Sequence, residues 1–166
     1  LTGELKQEVL TMLAGHNTMT IATINQLGKP EAAAVFYVNH GFQLVFFSNP
    51  DSRHAQNIGN GCACAATIQM DYKNWREIKG LQLEGKVIPL ASAMDKTLAM
   101  KLYLNKYGFL NDVLVEGHKI FQALHKSKIY KFTPEIIWVT DNNYAFGKRR
   151  KLTLSWSSTD PVCENE

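Results

Sequence analysis

The stretch "TMTIATINQLGKPEAAAVFYVNHGFQLVFFS", residues 18–48, decides the fold. Its first seven residues carry Met19, Ile21 and other β-favouring side chains in period-two alternation, the pattern of a half-buried strand. "LGKP" at residues 27–30 supplies a turn, "EAAAVFYVN" resumes as a strand, and His40-Gly41 turns the chain into "FQLVFFS". Strands joined by connections this short lie antiparallel, because a parallel pair needs a crossover of a dozen residues or more.

Downstream, "NPDSRHAQNIGNG" at residues 49–61 reads as a short helix, with Asn49 as N-cap and Pro50 at the first helical position. "CACAATIQM" from Cys62 is a fourth strand. "KGLQLEGKVIPL" from Lys79 is a fifth, in which Gly85 marks a bulge or a close backbone approach. "SAMDKTLAMKLYLNKYG" is a helix with Ser92 as cap and Gly108 as stop, and a weaker helical segment covers 111–126. "KIYKFTPEIIWVTD" is the sixth strand, bent at Pro134, which cannot donate to a ladder. Upstream, Leu5, Val9, Met12 and Leu13 fall at helical spacing, between Thr2 as N-cap and Gly15 as stop.

These elements predict a mainly β or α+β protein: six antiparallel strands closed as a barrel, with peripheral helices. There is no βαβ alternation and no G-x-G-x-x-G, which argues against a dinucleotide fold. The 166 residues suit one domain, 1–166, whose tail from about residue 155 has little to bury and is expected to be disordered.

With 45% hydrophobic and 20% charged residues, and no apolar run near 18 residues, the composition is that of a soluble protein without a membrane helix. The chain opens on no basic-then-apolar leader, so the expected compartment is the cytoplasm. A net charge of +3, much of it in "KRRK" at 148–151, is too mild for a dedicated nucleic-acid binder. Three cysteines argue against a disulfide framework. Cys62 and Cys64 share a strand face, and without further ligands at metal spacing they read as small buried apolar side chains.

The chemistry concentrates where the third strand runs into the short helix. Ser48, Ser52, Arg53 and His54 bring hydroxyls, a fork-shaped cation and an imidazole to a helix start, where backbone N–H groups are free. The guest such a corner suits is a phosphate ester. The plain alternative is that Ser52 caps, Asp51 complements the helix dipole and Arg53 is a solvated charge. His16, His40, His118 and His125 read as surface or capping residues. Tyr37, Tyr103, Tyr107 and Trp138 read as core before they read as pocket walls. No catalytic residue is assigned.

"FFSNPDSRH" resembles the F-Y-T-N-x-x-S-R-K segment of the pyridoxamine 5′-phosphate oxidase superfamily, the split barrels that bind flavin mononucleotide (FMN). "KGLQLEGKV" resembles that family's R-Q-V-R-V-E-G-x-V segment, and "TDNNYAFGKRRKL" resembles the ending of small bacterial members. The resemblance implies a homodimeric split barrel with FMN at the subunit interface and a small-molecule substrate. It places Ser52 and Arg53 on the family's phosphate contacts, His54 on its Lys, and Phe47 and Ser48 beside the cofactor. Ala34, Val35 and Phe36 correspond to the segment lining the flavin ring. Lys79 replaces an Arg, Gly80 replaces a flavin-contacting Gln, and Gln82 on the same strand face is a substitute. The strand-two Arg and Lys are missing, which shifts the phosphate onto Arg53 and onto Lys148 or Arg149. The W-x-x-x-R-L pattern for pyridoxal phosphate is also missing, so flavin binding is implied more strongly than pyridoxamine oxidation.

The leading expectation is an FMN-dependent oxidoreductase. Its rivals are a non-enzymatic protein binding flavin, heme or the deazaflavin F420, and a ligand-free dimerisation or regulatory domain. "KRRK" reads either as a surface patch or as a strand folded across a dimer.

Overall fold

The computed structural model describes residues 2–108 and 126–156. Most of the helical segment expected over 111–126, including His118 and His125, and the tail from 157 lie outside the described residues.

The order is α1 (Thr2–Gly15), β1 (Thr18–Ile24), β2 (Pro30–His40), β3 (Gln43–Ser48), α2 (Arg53–Ile58), β4 (Cys62–Gln69), β5 (Lys79–Pro89), α3 (Ala93–Lys106), β6 (Lys128–Asp141) and β7 (Arg149–Thr153). All strand pairs are antiparallel, in the order β3-β2-β1-β4-β5-β6, and a β3–β6 pairing closes the six into a barrel. The opening hairpins form as expected. Asn25 Oδ1 accepts from the amides of Leu27 and Lys29 at 2.9 and 3.0 Å, and Gly28 and Gly41 take φ of 73° and 56°, which glycine adopts without a Cβ clash.

The inward positions fill one core. Met19 and Ile21 of β1, Tyr37 of β2, Leu44 and Phe46 of β3, Ile68 of β4, Leu81 and Leu83 of β5, and Phe132 of β6 are buried in it. Val9, Met12 and Leu13 of α1 join this core, as their helical spacing requires. A second cluster lies outside the barrel wall, where Ala99 and Tyr103 of α3 and Tyr107, its C-cap, cover Val38, Val45 and Ile129. Three polar anchors fix α3 there: Tyr103 Oη donates to Phe36 O at 2.5 Å, Tyr107 Oη to Tyr37 O at 2.5 Å, and Lys106 Nζ to His16 O at 2.5 Å. The three tyrosines are thus core, as read.

β6 serves three neighbours. Residues 128–132 pair with β3, residues 136–140 with β7, and its other edge pairs with β5 throughout. The change occurs at a bulge: Glu84 faces Ile136 while Gly85 faces Pro134, leaving Glu135 as the extra residue. The expected Gly85 bulge and Pro134 bend are one feature seen from two strands.

β7 is the strand that the count of six omitted. Residues 149–153, which take in Arg149, Arg150 and Lys151 of the basic cluster, are a strand on β6 of the same chain, so the cluster is not a patch alone. Leu152 is buried while Arg149, Lys151 and Thr153 are exposed, a period-two signal masked by the cations. The chain stays attached past 155, since Leu154 N donates to Glu135 O at 2.9 Å and Trp156 Nε1 to Pro134 O at 2.6 Å. Among the described residues, no helix is long and apolar enough to cross a membrane.

Candidate functional site

The register gives the barrel two ends. One carries Ile24, Pro30, Ser48, Cys62 and Lys128; the other carries Gln69, Lys79, Asp141 and Arg149. The candidate corner is at the first end, where β3 stops and the chain turns into α2.

α2 begins later than its sequence suggests. Ser52, not Asn49, is the N-cap: its φ and ψ are −68° and 147°, and its hydroxyl accepts from Ala55 N at 3.4 Å. Asn49 instead closes a turn, its side chain accepting from Asp51 N and its carbonyl from Ser52 N, both at 3.0 Å. An Asn before Pro can serve a cap or an Asx turn, and here the turn takes it. The amides of Asp51 and Ser52 are consequently engaged, so the corner depends on side chains rather than on a full set of free N–H groups.

Those side chains meet. Ser48 Oγ lies 2.6 Å from His54 Nε2 and 3.0 Å from Ser52 Oγ, and Ser52 Oγ is 3.2 Å from the same imidazole nitrogen. Burial holds the His54 pKa below its ordinary value, which favours the neutral ring, and in the tautomer with its proton on Nδ1 the Nε2 atom accepts. Hydrogen bonds then run in one direction: Ala55 N–H to Ser52, Ser52 to Ser48, Ser48 to His54. Ser48 is 8% exposed and closes the inner side of the corner.

Arg53 stands outside this triad with a side chain 79% exposed, 3.6 Å from Glu31 Oε1. Glu31 is fixed more firmly than its partner. Asn57 Nδ2 donates to Glu31 Oε2 at 2.9 Å and to Thr23 Oγ1 at 3.0 Å, and Asn25 Nδ2 reaches Glu31 Oε1 at 3.3 Å. Sequence reading missed Glu31 and Asn57. Strand two lacks the family's cation in sequence, but which β2 residue faces Arg53 depends on where α2 packs.

Around the corner, Ala34 and Phe36 point outward from β2, Phe36 being 54% exposed, while the Val35 side chain points into the barrel. Phe47 packs edge-on to Tyr103 at 4.5 Å. Gln82 is exposed on β5, between Thr67 and Trp138 in register, on the face that carries Gly80. Lys148 is exposed just before β7. Within one chain neither Lys79 nor Lys148 joins Arg53: the register partners of Ser48 and Arg149 are separated by roughly 40 Å of β6. Cys62 and Cys64 have Sγ atoms 3.3 Å apart, and burial raises the Cys64 thiol pKa well above its usual value.

Lys79 is instead half of an ionic clamp between α1 and the sheet. Its Nζ lies 3.2 Å from both Glu8 Oε1 and Asp141 Oδ2, and Arg150 grips Glu8 through two bonds of 2.7 and 2.9 Å. Arg150 first, against the opposing effect of burial, and then Lys79 lower the Glu8 pKa. For Asp141, burial acts upward but Lys79 and the amides of Asn143 and Tyr144 outweigh it. A depressed carboxylate pKa contributes stability above the unfolded value and loses it as pH falls through the folded value. We therefore expect Glu8→Gln to lower the melting temperature at pH 7 and to flatten its decline between about pH 5 and pH 3. Parallel melting curves for the two proteins across that range would rule the clamp out as an acid-sensitive element.

The family model for pyridoxamine 5′-phosphate oxidase matches residues 5–141 of this barrel. The chain belongs to that family. Among curated relatives of the pyridoxamine 5′-phosphate oxidase family member described here, UPF0306 protein YhbP of Escherichia coli O157:H7 is 25% identical over 139 residues, covering 82% of this chain and 85% of YhbP. Two solved structures share the fold. HutZ, the heme storage protein from Vibrio cholerae, has a TM-score of 0.63 at 16% identity, over 79% of this chain and 90% of its own. General Stress Protein 26 from Bacillus anthracis has 0.63 at 17%, over 91% and 99%. The resemblance read from the two motifs and the strand order therefore stands.

Proposed function

We propose that this protein binds FMN, its phosphate at the corner formed by Ser48, Ser52, Arg53 and His54, and that it is an oxidoreductase. The observation that carries the reading is the hydroxyl–imidazole triad beside an exposed guanidinium at the end of β3, in a chain of this family. The donor set fits a phosphate: two hydroxyls can turn to donate, and Arg53, held only at 3.6 Å, can swing to a fork-shaped contact. Ala34 and Phe36 present the outward face of β2 for the flat ring. FMN would supply the electron transfer; the chain's residues bind it, orient it and leave one face for a small-molecule substrate.

Homodimerisation belongs to the same proposal. The outward positions of β1, β2 and β4 form a flat surface of small side chains, with Thr20 between Ala34 and Thr67 in register and Ala22 between Ala32 and Ala65. In the dimer that the resemblance implies, Gln82 and Lys148 are the residues proposed to complete the site from a second copy. Two free thiols at 3.3 Å suit a reducing compartment such as the cytoplasm.

The visible spectrum of the purified protein, followed by FMN titration, tests the reading. We expect flavin absorbance or uptake, and Arg53→Ala weakening FMN about tenfold or more, consistent with loss of a charge-assisted bond. Lys148→Ala should weaken it less. Unchanged affinity in Arg53→Ala would reject the phosphate assignment, and sedimentation as a monomer at micromolar concentration would reject the dimer. HutZ, named for heme storage, gives the second reading its support. A heme spectrum in place of a flavin one would decide for it, and deazaflavin F420 would be recognised by its own absorbance.

A further inference from the structure

We propose that anion binding at the corner takes up one proton, onto His54, so that His54 makes this a pH-gated phosphate site. The inference rests on the phosphate reading above. In the structure both hydroxyls that a phosphate would need are engaged with each other and with His54 Nε2, at 2.6, 3.0 and 3.2 Å. To donate to phosphate oxygens, Ser48 and Ser52 must turn away from the imidazole. His54 Nε2, with no other partner in this cluster and a ring that is half-buried, is then left without its donors beside a new negative charge. Protonation resolves both problems, because imidazolium donates from Nε2, where the neutral ring with its proton on Nδ1 accepts.

The surrounding charges leave the site short of a cation. Arg53 of α2 is partly neutralised by Glu31 of β2 at 3.6 Å. Lys128 of β6 stands opposite Ser48 in register, Asp51 lies exposed in the turn, and Thr23 of β1 and Asn57 of α2 are neutral. A dianionic phosphate therefore meets a shared guanidinium and an imidazole at the start of α2, with Lys128 across the seam from Ser48, where the family's Lys would hold a permanent charge at the imidazole's own position. The burial that depresses the free His54 pKa widens the pH range over which a proton must be taken up.

The sign follows from linkage. The complex binds one proton more than the free protein wherever His54 is neutral when free and charged when bound, so affinity falls as pH rises across that range. Above about pH 7 the phosphate is already dianionic and adds no pH dependence of its own.

The test is FMN titration by calorimetry at pH 7.0, 7.75 and 8.5, in buffers of different ionisation enthalpy, with 15N NMR of the imidazole as an independent readout. We expect Kd to rise by up to tenfold per pH unit, with uptake of close to one proton and an Nε2 shift from acceptor to protonated on binding. His54→Lys should bind FMN at least as tightly at pH 8.5 with little pH dependence, and His54→Gln should be weak and flat. Riboflavin, which lacks the phosphate, should show no proton uptake. FMN binding with a flat pH profile and an unshifted imidazole would overturn this inference while leaving the flavin reading intact. Failure of both flavins to bind wild type and His54→Lys would overturn both.

Discussion

Gly85→Ala should cost the protein at least about 3 kcal/mol and lower its melting temperature by roughly 10 °C. A Cβ at this position would overlap the Thr133 carbonyl oxygen and approach Pro134 Cα to 2.7 Å and Thr133 C to 2.9 Å. All three atoms are backbone, so no side-chain rotation relieves the contact. They also belong to the bulge at which β6 passes from pairing with β3 to pairing with β7, so moving them shifts both neighbours. Thermal unfolding followed by far-ultraviolet circular dichroism measures the effect. A melting temperature within about 2 °C of wild type would show that the bulge yields and that the close approach is not what selects glycine.

Phe46→Ala is the second large effect, about 3–5 kcal/mol. Phe46 is fully buried and is the middle member of one rung, paired with Tyr37 on β2 and with Tyr130 on β6. Its ring stacks on Tyr130 with centroids 5.3 Å apart at 19°. Truncation removes the transfer free energy of a large side chain and leaves a cavity that neither tyrosine can fill, because each holds its place in its own strand. The rung spans the barrel's closing seam, so Ser48, two residues on, should lose its alignment with His54 as well. We expect FMN affinity and stability to fall together in Phe46→Ala and both to be largely retained in Phe46→Leu. Denaturant unfolding and flavin titration on the same samples check this. A variant that loses more than 3 kcal/mol yet binds FMN as wild type does would separate the corner from the seam.

What could be read in the sequence was whatever is local. The hairpins through residues 18–48 declare themselves because alternation and turn residues agree over short spans, and Gly85 and Pro134 stand out because each breaks a strand rule. The corner was legible as a set of residue types, since Ser48, Ser52, Arg53 and His54 lie within seven positions of one another. Their partners were not. Glu31 meets Arg53 across 22 positions because α2 folds back over β1 and β2, and no period or spacing encodes that return. The helix start was misplaced by the same kind of competition, because Asn49 had two local uses and the turn won. β7 was missed as a strand of this chain because charge hid its alternation.

The seam between β3 and β6 joins residues 44–48 to residues 128–132, the most distant strand pairing among the described residues. Closing a loop of that length carries a large entropic cost before any contact rewards it, so pairing of this kind comes late and slowly in folding. Ser48 opposite Lys128 is its last rung. The corner is therefore expected to form late in folding, and an anion held there would select the closed barrel and slow its reopening. Refolding with and without phosphate present would show this in the unfolding limb, while the folding limb stayed unchanged.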